Sequence, residues 1–581
     1  MALWIKDYFR KYKWDLLVSL ILTLILMFPY IVRGFTPVEH DTFFHLSRIE
    51  NLSIAIREGH FFPAIYPYEN NGFGYPSSLF YSDFFLIPSA LLHLAGVPLA
   101  MCYRITVIIA VYISSLTMMA LVRRIDGRAS AAWLSAAAYL FSNYHITDIY
   151  VRGALGEVFA LAVLPALLNA LYRILHEKDT EGWFVLALSL GSLALCHNLT
   201  FALGVFLFIL VFGLYLDQLN KEIFITLCKG VGFAFLISAF FTLPMLEQLG
   251  SQTLVVHYFG SSSSLGSYSV DLWQYFANRT VFNLAGNTRP HDAAMLVNVG
   301  YFLEFAPLAY LFVSKEKKNR LVTFCLIAGY LMILLPCSLI PWDYLYAMRI
   351  LQFPWRLNTL GILLLSVPAA IGVTEILKKN IAVVLCIVLL SGECVWHVRP
   401  VLQRTFGMSD QMTWSDVLDG QLCDPYYSAD YVRVELAGGD YLPWPHPDYR
   451  TATRKIKSES GKELSIEYSQ HAGYFSFEAG QETDEDFILP LTWYEGYTAY
   501  KTDKSFTMIE LEKSDEGLVK IRNAGKGSYF VLFEETALRR LCSSASIMGF
   551  VFMILIKMKM NWWSEYFKQI EKRKNNDRNR K

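Results

Sequence analysis

The sequence predicts an α-helical protein that crosses a membrane about twelve times and carries a β-rich segment on the outer side. Of its 581 residues, 54% are hydrophobic and only 18% are charged, a balance too apolar for a soluble protein of this size. Apolar runs long enough to span a bilayer recur through residues 1–398, and a long polar stretch follows them. The formal net charge is zero, so the global charge says nothing about nucleic-acid or acidic partners, and no nucleic-acid partner is expected.

Twelve apolar runs are predicted to cross the membrane. They are 15–33, 101–122, 129–143, 156–175, 182–197, 199–216, 223–247, 296–313, 321–340, 357–376, 381–398 and 540–557. The run 84–99 is short and contains Pro88 and Pro98, so we interpret it as a helix at the membrane interface. All short basic loops then lie on the same side as the amino terminus, as the positive-inside rule requires, and both termini are expected in the cytoplasm.

The outer side is expected to hold two long loops and a small domain. The predicted parts are a membrane domain at 1–398 with outer loops at 34–100 and 250–298, a β-rich domain at 399–538, a last span at 539–558 and a basic cytoplasmic tail at 559–581. Polar residues alternate with β-branched and aromatic ones in Ser465–Tyr468, Phe475–Phe477 and Ser528–Phe533. This alternation predicts a small antiparallel β-sandwich.

Charged residues of the predicted spans concentrate in their outer halves. These residues are Arg104, Glu157, Glu247, Glu304, Arg356 and Glu393. Ionisable groups are costly in a bilayer and therefore mark functional regions. A transporter would place such groups near the mid-plane, so the pattern favours chemistry on a lipid head group at the outer face.

The first loop opens with an acidic and histidine-rich segment, Glu39–Arg48. Asp41 has His40 and His45 on either side and Arg48 beyond them, an arrangement suited to abstracting a proton from a hydroxyl group. A carboxylate before a helical stretch is also typical of a helix cap. Asp41 is therefore a candidate general base that could also cap the helix that follows it.

Five further charged residues lie in two segments next to predicted outer helix ends. Asp148, Arg152 and Glu157 lie close together in the sequence and could form either a substrate site or a structural ion pair. Arg356 can offer a planar fork to a phosphate group, or it can extend to the interface beside its neighbouring tryptophan. Arg349 would share its face if the segment were helical.

Other candidates have ordinary structural explanations. His197 lies in a tight turn between two spans, where we favour a turn role. Trp444, Trp493 and Tyr497 could stack on a sugar, although packing between strands explains them as well.

The segments Glu39–Arg48, Asn71–Pro76 and Leu79–Ser82 resemble the first outer loop of the GT-C superfamily of membrane glycosyltransferases. In that superfamily an acidic residue follows the first span and a Tyr-Pro segment precedes the second. The chain is most similar to bacterial multispanning proteins labelled 6-pyruvoyl-tetrahydropterin synthase-related. The resemblance covers roughly residues 1–400, with sharp motifs at 36–82, 150–157 and 353–356.

The resemblance implies a GT-C-like transferase that moves a sugar from a polyprenyl-phosphate donor to a cell-surface glycan, lipid or protein at the plasma membrane. It implies Asp41 as the catalytic base, with Asp148 or Glu157 as a second acidic group. The residues expected to bind substrate are Glu39, His40, His45, Arg48, Arg152, His197, Arg349 and Arg356. Glu39 and Asp41 form only one short acidic pair, so no metal or other cofactor is expected. A transporter of lipid-linked sugars and a non-enzymatic assembly protein are the alternatives.

Overall fold

The computed structural model describes residues 2–32, 40–257, 264–277, 295–407, 439–449, 451–480, 486–502 and 506–578. Helices predominate among the described residues up to 407 and at the carboxyl end. The main α-helices are Ala2–Leu26, Thr42–Arg57, Ile87–Leu94, Leu99–Asp126, Ala129–Leu140, Leu155–Leu171, Gly182–Cys196, Asn198–Leu214, Lys221–Ser251, Arg320–Leu334, Asn358–Leu377, Asn380–Gly407 and Ala537–Arg578.

Within the described ranges, six helical segments are long and apolar enough to cross a membrane. They are Leu99–Asp126, Leu155–His176, Lys221–Ser251, Pro354–Leu377, Asn380–Arg399 and Ala537–Lys559. A further set of apolar helices is shorter: Phe84–Leu94, Ala129–Leu140, Gly182–Cys196, Asn198–Leu214, Tyr301–Phe312 and Arg320–Leu334. A helix lies at each of the twelve predicted positions, whereas the number of crossings and their sidedness remain predictions.

The predicted interface run forms a short helix, Phe84–Leu94, that is preceded by the first loop. It has fewer residues than the roughly twenty that a transmembrane helix needs. Its helix Ile87–Leu94 packs on the first-loop helix Thr42–Arg57. The run therefore packs against the rest of the first outer loop.

The described residues of the carboxyl-terminal part form nine strands in two antiparallel sheets. They are β1 Lys457–Ser458, β2 Tyr468–Gln470, β3 Tyr474–Ala479, β4 Phe487–Thr492, β5 Tyr497–Thr502, β6 Phe506–Ile509, β7 Leu511–Lys513, β8 Leu518–Ile521 and β9 Gly527–Phe533. One sheet has the order β1-β4-β8-β7 and the other β2-β3-β9-β5-β6. Alternate residues of both sheets, including Phe477, Leu489, Val519 and Val531, share one buried core. This arrangement gives the predicted β-rich part a two-layered fold.

Some predicted boundaries differ from the structure. The helix before the β-rich part continues to Gly407, beyond the predicted end of that span at residue 398, and the first strand among the described residues begins at Lys457. The last helix continues to Arg578, so the basic segment after 558 is helical. Of Ser465–Tyr468, only Tyr468 belongs to a strand, whereas Phe475–Phe477 and Ser528–Phe533 lie in β3 and β9.

The β-rich part packs directly on the first loop. The amide of Gln470 donates to the carbonyl oxygens of Pro67 and Gly72, both at 2.9 Å. The backbone N–H of Thr492 donates to the carbonyl oxygen of Phe73 at 2.8 Å. Gly72 has a φ of +80°, and Arg454 lies against it, so a side chain at this position would meet both strain and a clash. The contact brings the segment Gly439–Tyr449 close to the first loop.

Candidate active site

Asp41 lies beside the loop that precedes the helix Leu155–Leu171. The backbone N–H of His40 donates to the carbonyl oxygen of Val151 at 3.1 Å, and that of Asp41 to the carbonyl oxygen of Arg152 at 2.8 Å. The start of the first loop and the segment at 151–152 therefore run side by side. The two regions that carry the predicted acidic residues meet at this point.

The carboxylate of Asp41 is not used as a helix cap. The helix Thr42–Arg57 begins directly after Asp41, as expected for a capping position, but the side chain makes no capping hydrogen bond. The hypothesis that Asp41 caps the helix through its carboxylate is therefore wrong. Within the ranges that the structure describes, this half-buried carboxylate forms no hydrogen bond or ion pair.

Arg152 connects two buried carboxylates. Its Nη1 atom donates to Asp148 Oδ1 and, at 2.6 Å, to Glu157 Oε2. The guanidinium group also lies 4.7 Å from the centre of the Trp355 ring. All three charged side chains are almost completely buried. Of the two interpretations, a substrate site or a structural ion pair, the structure shows the ion pair. The charge of Arg152 is balanced within the protein.

Glu157 has partners on its other oxygen as well. Its Oε1 atom accepts hydrogen bonds from the Tyr144 hydroxyl at 2.7 Å and from Thr359 Oγ1 at 2.6 Å. Thr359 belongs to the helix that follows Arg356. Both oxygens of Glu157 are occupied, so this residue fixes Arg152 rather than offering an open carboxylate.

Arg356 has a different environment from Arg152. Its Nη1 atom donates to the carbonyl oxygen of Leu351 at 3.0 Å and to Gln352 Oε1 at 2.6 Å, and both acceptors are neutral. Its Nε atom is buried without a hydrogen-bond partner in the described part of the chain. Only 8% of the residue is exposed. A buried guanidinium group without a bonded carboxylate is suited to binding an anion.

The local charges set the protonation of Asp41. Burial raises the pKa of the Asp41 carboxyl above its ordinary value, whereas Arg152 and Arg356 oppose this shift and Glu157 adds to it. A carboxylate with a raised pKa binds a proton more readily than an exposed one. This is the property that a general base needs near neutral pH.

His45 and Arg48 stabilise the first loop. Arg48 donates from Nε and Nη2 to Asp83 Oδ1, and its Nη1 atom lies 3.3 Å from His45 Nδ1. The Nη2 atom also donates to the carbonyl oxygen of Ser82 at 2.8 Å. Burial and the charge of Arg48 hold the pKa of His45 well below its usual range, so this imidazole is neutral. We therefore interpret both as structural residues rather than as substrate-binding ones.

The other two candidate histidines, His40 and His197, have different surroundings. His40 is exposed. The Nδ1 atom of His197 lies 2.8 Å from Thr200 Oγ1, and the residue caps the helix Asn198–Leu214, as the turn interpretation predicts. Its ring also lies 5.9 Å from that of Tyr81. Glu39 lies outside the described residues.

Arg349 does not share a helix face with Arg356. A 3₁₀-helix at Tyr346–Leu351 ends at Gln352, which has a φ of +61°, and a new helical turn begins at Pro354. The guanidinium group of Arg349 lies over the ring of Tyr346 at 4.9 Å. The prediction of two arginines on one helix face is therefore wrong, because the backbone is not continuously helical between them.

Two residues outside the predicted set of site residues, Tyr81 and Asp440, also lie close to Asp41. Tyr81 packs so closely on Gly156 that a Cβ atom there would overlap its hydroxyl group. Asp440 comes from the segment before the strands and is close enough to Asp41 for the charge of Asp41 to raise the pKa of Asp440. The quoted segment Leu79–Ser82 contained Tyr81, but no local pattern indicates Asp440.

The described residues contain no group of three or more His, Cys, Asp or Glu side chains placed to hold a metal ion. The expectation that the protein needs no metal stays a prediction. Among the described residues, Asp41 and Arg356 are two charged groups of the site that form no ion pair.

A family model with the description "6-pyruvoyl-tetrahydropterin synthase related domain; membrane protein" matches residues 80–401, more than half of the chain. This confirms the predicted resemblance to such membrane proteins. The match includes Asp148, Arg152, Glu157 and Arg356 and excludes Asp41. No curated protein sequence matches the chain.

Two of the solved structures that are similar to this chain are the following. The cryo-EM structure of arabinofuranosyltransferase AftD from Mycobacteria is 12% identical with a TM-score of 0.46, over 91% of this chain and 40% of that chain. The crystal structure of the apo oligosaccharyltransferase from Archaeoglobus fulgidus is 11% identical with a TM-score of 0.35, over 76% of this chain and 57% of that chain. The chain thus spans less than two thirds of the length of either protein.

Proposed function

The chain belongs to the family of membrane proteins with a 6-pyruvoyl-tetrahydropterin synthase related domain, and we propose that it is an inverting glycosyltransferase of the GT-C type. It transfers a sugar from a polyprenyl-phosphate donor to an acceptor at the cell surface. The reaction takes place at the outer face of the plasma membrane, with both termini in the cytoplasm.

One observation carries this proposal. Within the described structure, Asp41 offers a carboxylate without a partner and Arg356 offers a buried guanidinium group bonded only to neutral acceptors. The two are close enough for Arg356 to lower the pKa of Asp41. An open base and an open cation in one buried site match the two needs of glycosyl transfer from a phosphate.

The proposed reaction assigns a separate task to each group. The acceptor oxygen attacks the anomeric carbon of the donor sugar while the bond from that carbon to the phosphate oxygen breaks. Asp41 takes the proton from the acceptor hydroxyl group. The phosphate leaves with the bonding electron pair, and Arg356 stabilises its negative charge.

Arg152 acts as a positioning residue in this scheme. Its charge is balanced by Asp148 and Glu157, so it has little capacity left for a phosphate. Its backbone carbonyl oxygen accepts the hydrogen bond from Asp41, and its side chain packs on Trp355 next to Arg356. It therefore connects the base to the cation.

A lipid-linked donor is supported by the segment before Arg356. Several large apolar side chains between residues 339 and 350 are highly exposed: Leu339 at 75%, Tyr344 at 76%, Tyr346 at 68% and Ile350 at 63%. Exposed apolar surface of this extent marks contact with a membrane or an apolar ligand. A polyprenyl chain lying along this segment would bring its phosphate toward Arg356.

The experiment that tests this function uses the purified protein in liposomes that contain the lipid extract of the producing cell. Surface glycan from that cell is added, and lipids are analysed by mass spectrometry. The proposal predicts that sugar-free polyprenyl phosphate or diphosphate accumulates with the wild type and not with Asp41→Asn. Translocation of an intact lipid-linked sugar without this product would contradict the proposal and identify a transporter.

A further inference from the structure

A cavity of about 420 Å³ lies where the helix Lys221–Ser251 begins. Its wall combines the first turns of that helix with the start of the helix Gly182–Cys196 and the residue Thr180 before it. The two helices pack closely against each other. Four lining residues have side chains that could contact a ligand: Trp183, Lys221, Glu222 and Lys229.

The cavity and the candidate active site lie at opposite ends of the helix Lys221–Ser251. Residues 253–256, which follow this helix, form backbone hydrogen bonds with residues 440–444. Tyr441 stacks in turn on Phe80 of the first loop, with ring centres 4.4 Å apart. The 31 residues of the helix span roughly 46 Å. A ligand in the cavity is therefore separate from the substrates of the proposed reaction, and the positive-inside rule predicts the cavity on the cytoplasmic side.

Trp183 forms a fixed floor of the cavity. Its ring lies 5.3 Å from that of Phe233 and 5.7 Å from that of Phe184, and only 1% of the residue is exposed. Met553 of the last helix belongs to the same buried cluster. The indole N–H has no hydrogen-bond acceptor within the described part of the chain. Because a buried donor without an acceptor is unfavourable, an acceptor supplied by a ligand would stabilise this wall.

Lys229 places a positive charge directly on this floor. Its Nζ atom lies 3.8 Å from the centre of the Trp183 ring, a cation–π contact that restricts the ammonium group to the cavity. Lys229 is half-buried and lies eight positions, roughly 12 Å along the axis, after Lys221. A lysine within the end of a membrane span extends its ammonium group to the level of the lipid head groups.

The charged lining of the cavity is positive on balance. Lys221 and Lys229 contribute two positive charges, and Glu222 contributes one negative charge. Lys221 forms no ion pair with any residue that the structure describes. The nearby carboxylate of Glu181 is bonded to Lys557 of the last helix, so these two charges balance each other. The excess positive charge favours an anionic ligand.

Apolar side chains next to the cavity indicate that this ligand is a lipid. Phe224 and Ile225 follow the charged start of the helix and are exposed at 51% and 54%, and Ile225 also lines the cavity. Exposed apolar surface on a helix long enough to cross a membrane contacts lipid chains. A free anion would use only the lysines, whereas a phospholipid matches both the charges and the apolar surface.

We propose that this cavity binds the head group of an anionic phospholipid. Lys229 donates to the phosphate oxygens, Lys221 attracts the same negative charge from the aqueous side, and the acyl chains lie along Phe224 and Ile225. Basic cavities between membrane helices on the cytoplasmic side are typical binding sites for anionic lipids. This inference does not rest on the proposed glycosyl transfer.

The test measures lipid binding to the full chain, purified in detergent, by native mass spectrometry. Phosphatidylglycerol is the probe, and phosphatidylcholine with the same acyl chains is the neutral reference. We expect tighter binding of phosphatidylglycerol, and Lys229→Gln should weaken it about fivefold, the contribution of one lysine near an anionic lipid. Lys229→Arg should restore it. Lys317→Gln is the matched control, because Lys317 is an exposed lysine of another loop, paired with Glu375, and binding should be unchanged.

A variant with the opposite sign adds a second readout. Glu222→Gln should strengthen binding of phosphatidylglycerol, which a general loss of folding would not do. Equal binding of both lipids by the wild type, or unchanged binding of phosphatidylglycerol by Lys229→Gln, would overturn the proposal. Glycerol phosphate at the same concentration should not displace the lipid, and displacement would overturn the assignment to a lipid rather than to a free phosphate.

Discussion

The backbone N–H of Asp41 donates to the carbonyl oxygen of Arg152 at 2.8 Å, and this bond joins two loops that are distant in the sequence. Arg152 in turn bonds two buried carboxylates and packs on Trp355, the residue before Arg356. The open carboxylate and the open guanidinium group are thus connected through one residue.

Removing Arg152 should destabilise the protein as well as inactivate it. Arg152→Ala leaves the carboxylates of Asp148 and Glu157 buried without their cation, at a cost of about 3–5 kcal/mol. Thermal unfolding in detergent measures this loss. Arg124→Ala is the control, because the pair of Arg124 with Glu177 is partly exposed and contributes at most about 1 kcal/mol. A wild-type melting temperature for Arg152→Ala would contradict the assigned role.

Replacing Arg356 by lysine should weaken binding of the lipid donor. The charge is kept, but the planar fork is lost, because an ammonium group cannot present two parallel N–H groups to a phosphate. We expect the KM for the donor to rise about tenfold, with the KM for the acceptor little changed. Arg124→Lys should leave both values unchanged. A rise confined to the KM for the acceptor would contradict this role, because it would show that Arg356 binds the acceptor rather than the donor.

The pH dependence of transfer should report on Asp41. A base acts when deprotonated, so kcat/KM should rise with pH through the pKa of Asp41. Arg356 lowers that pKa, and its loss in Arg356→Gln should move the acidic limb of the profile to higher pH. A limb that stays in place, despite measurable residual activity, would show that another group titrates.

Glu69 should make the stability of the first loop depend on pH. Burial raises its pKa from 4.5 to about 8, with Ser47 donating to Oε1 at 2.8 Å. Because the folded state binds this proton more tightly than the unfolded state, its stabilising contribution is complete below the unfolded pKa. It is lost as the pH rises through about 8.

The melting temperature of the wild type should therefore fall by a few degrees between about pH 6 and about pH 9, and that of Glu69→Gln should fall less. Glu459→Gln is the control, since this exposed residue pairs with Lys520 at the surface. Identical slopes for wild type and Glu69→Gln would contradict a raised pKa for Glu69.

The positions of the helices could be predicted because membrane spans depend on local hydropathy. A run of about twenty apolar residues specifies a helix whatever its neighbours are, since the backbone must satisfy its hydrogen bonds internally. The strands Tyr474–Ala479 and Gly527–Phe533 were predictable for a similar reason, because one face of each is buried and the other is not.

The site could be predicted only where the charge itself was the signal. Charged residues at outer helix ends cost free energy in a membrane and are therefore expected to be functional. This reasoning selected Asp41, Arg152, Glu157 and Arg356. Their roles were not predictable, since the balance of Arg152 by two carboxylates requires the fold. The position of Arg349 relative to Arg356 was predicted wrongly, because nothing in the sequence indicates that Gln352 has a positive φ.

The position of Asp440 was not predictable because it depends on packing between distant parts of the chain. It reaches the first loop through the stacking of Tyr441 on Phe80 and the hydrogen bonds to residues 253–256. Contacts between segments so far apart follow no local periodicity. A carboxylate in such a segment resembles any other loop residue.

The most direct test of the account compares the cell-surface glycans of cells that carry the wild type, Asp41→Asn or the control Asp217→Asn. Asp217 is an exposed carboxylate that pairs with Arg320 at 2.9 Å, and its replacement has the same chemistry. Sugar composition and glycan mass are measured at equal protein levels. If Asp41 is the general base, one sugar disappears from the surface glycans with Asp41→Asn and persists with Asp217→Asn. Unchanged glycans with Asp41→Asn would contradict Asp41 as the base and, with it, the proposed glycosyl transfer.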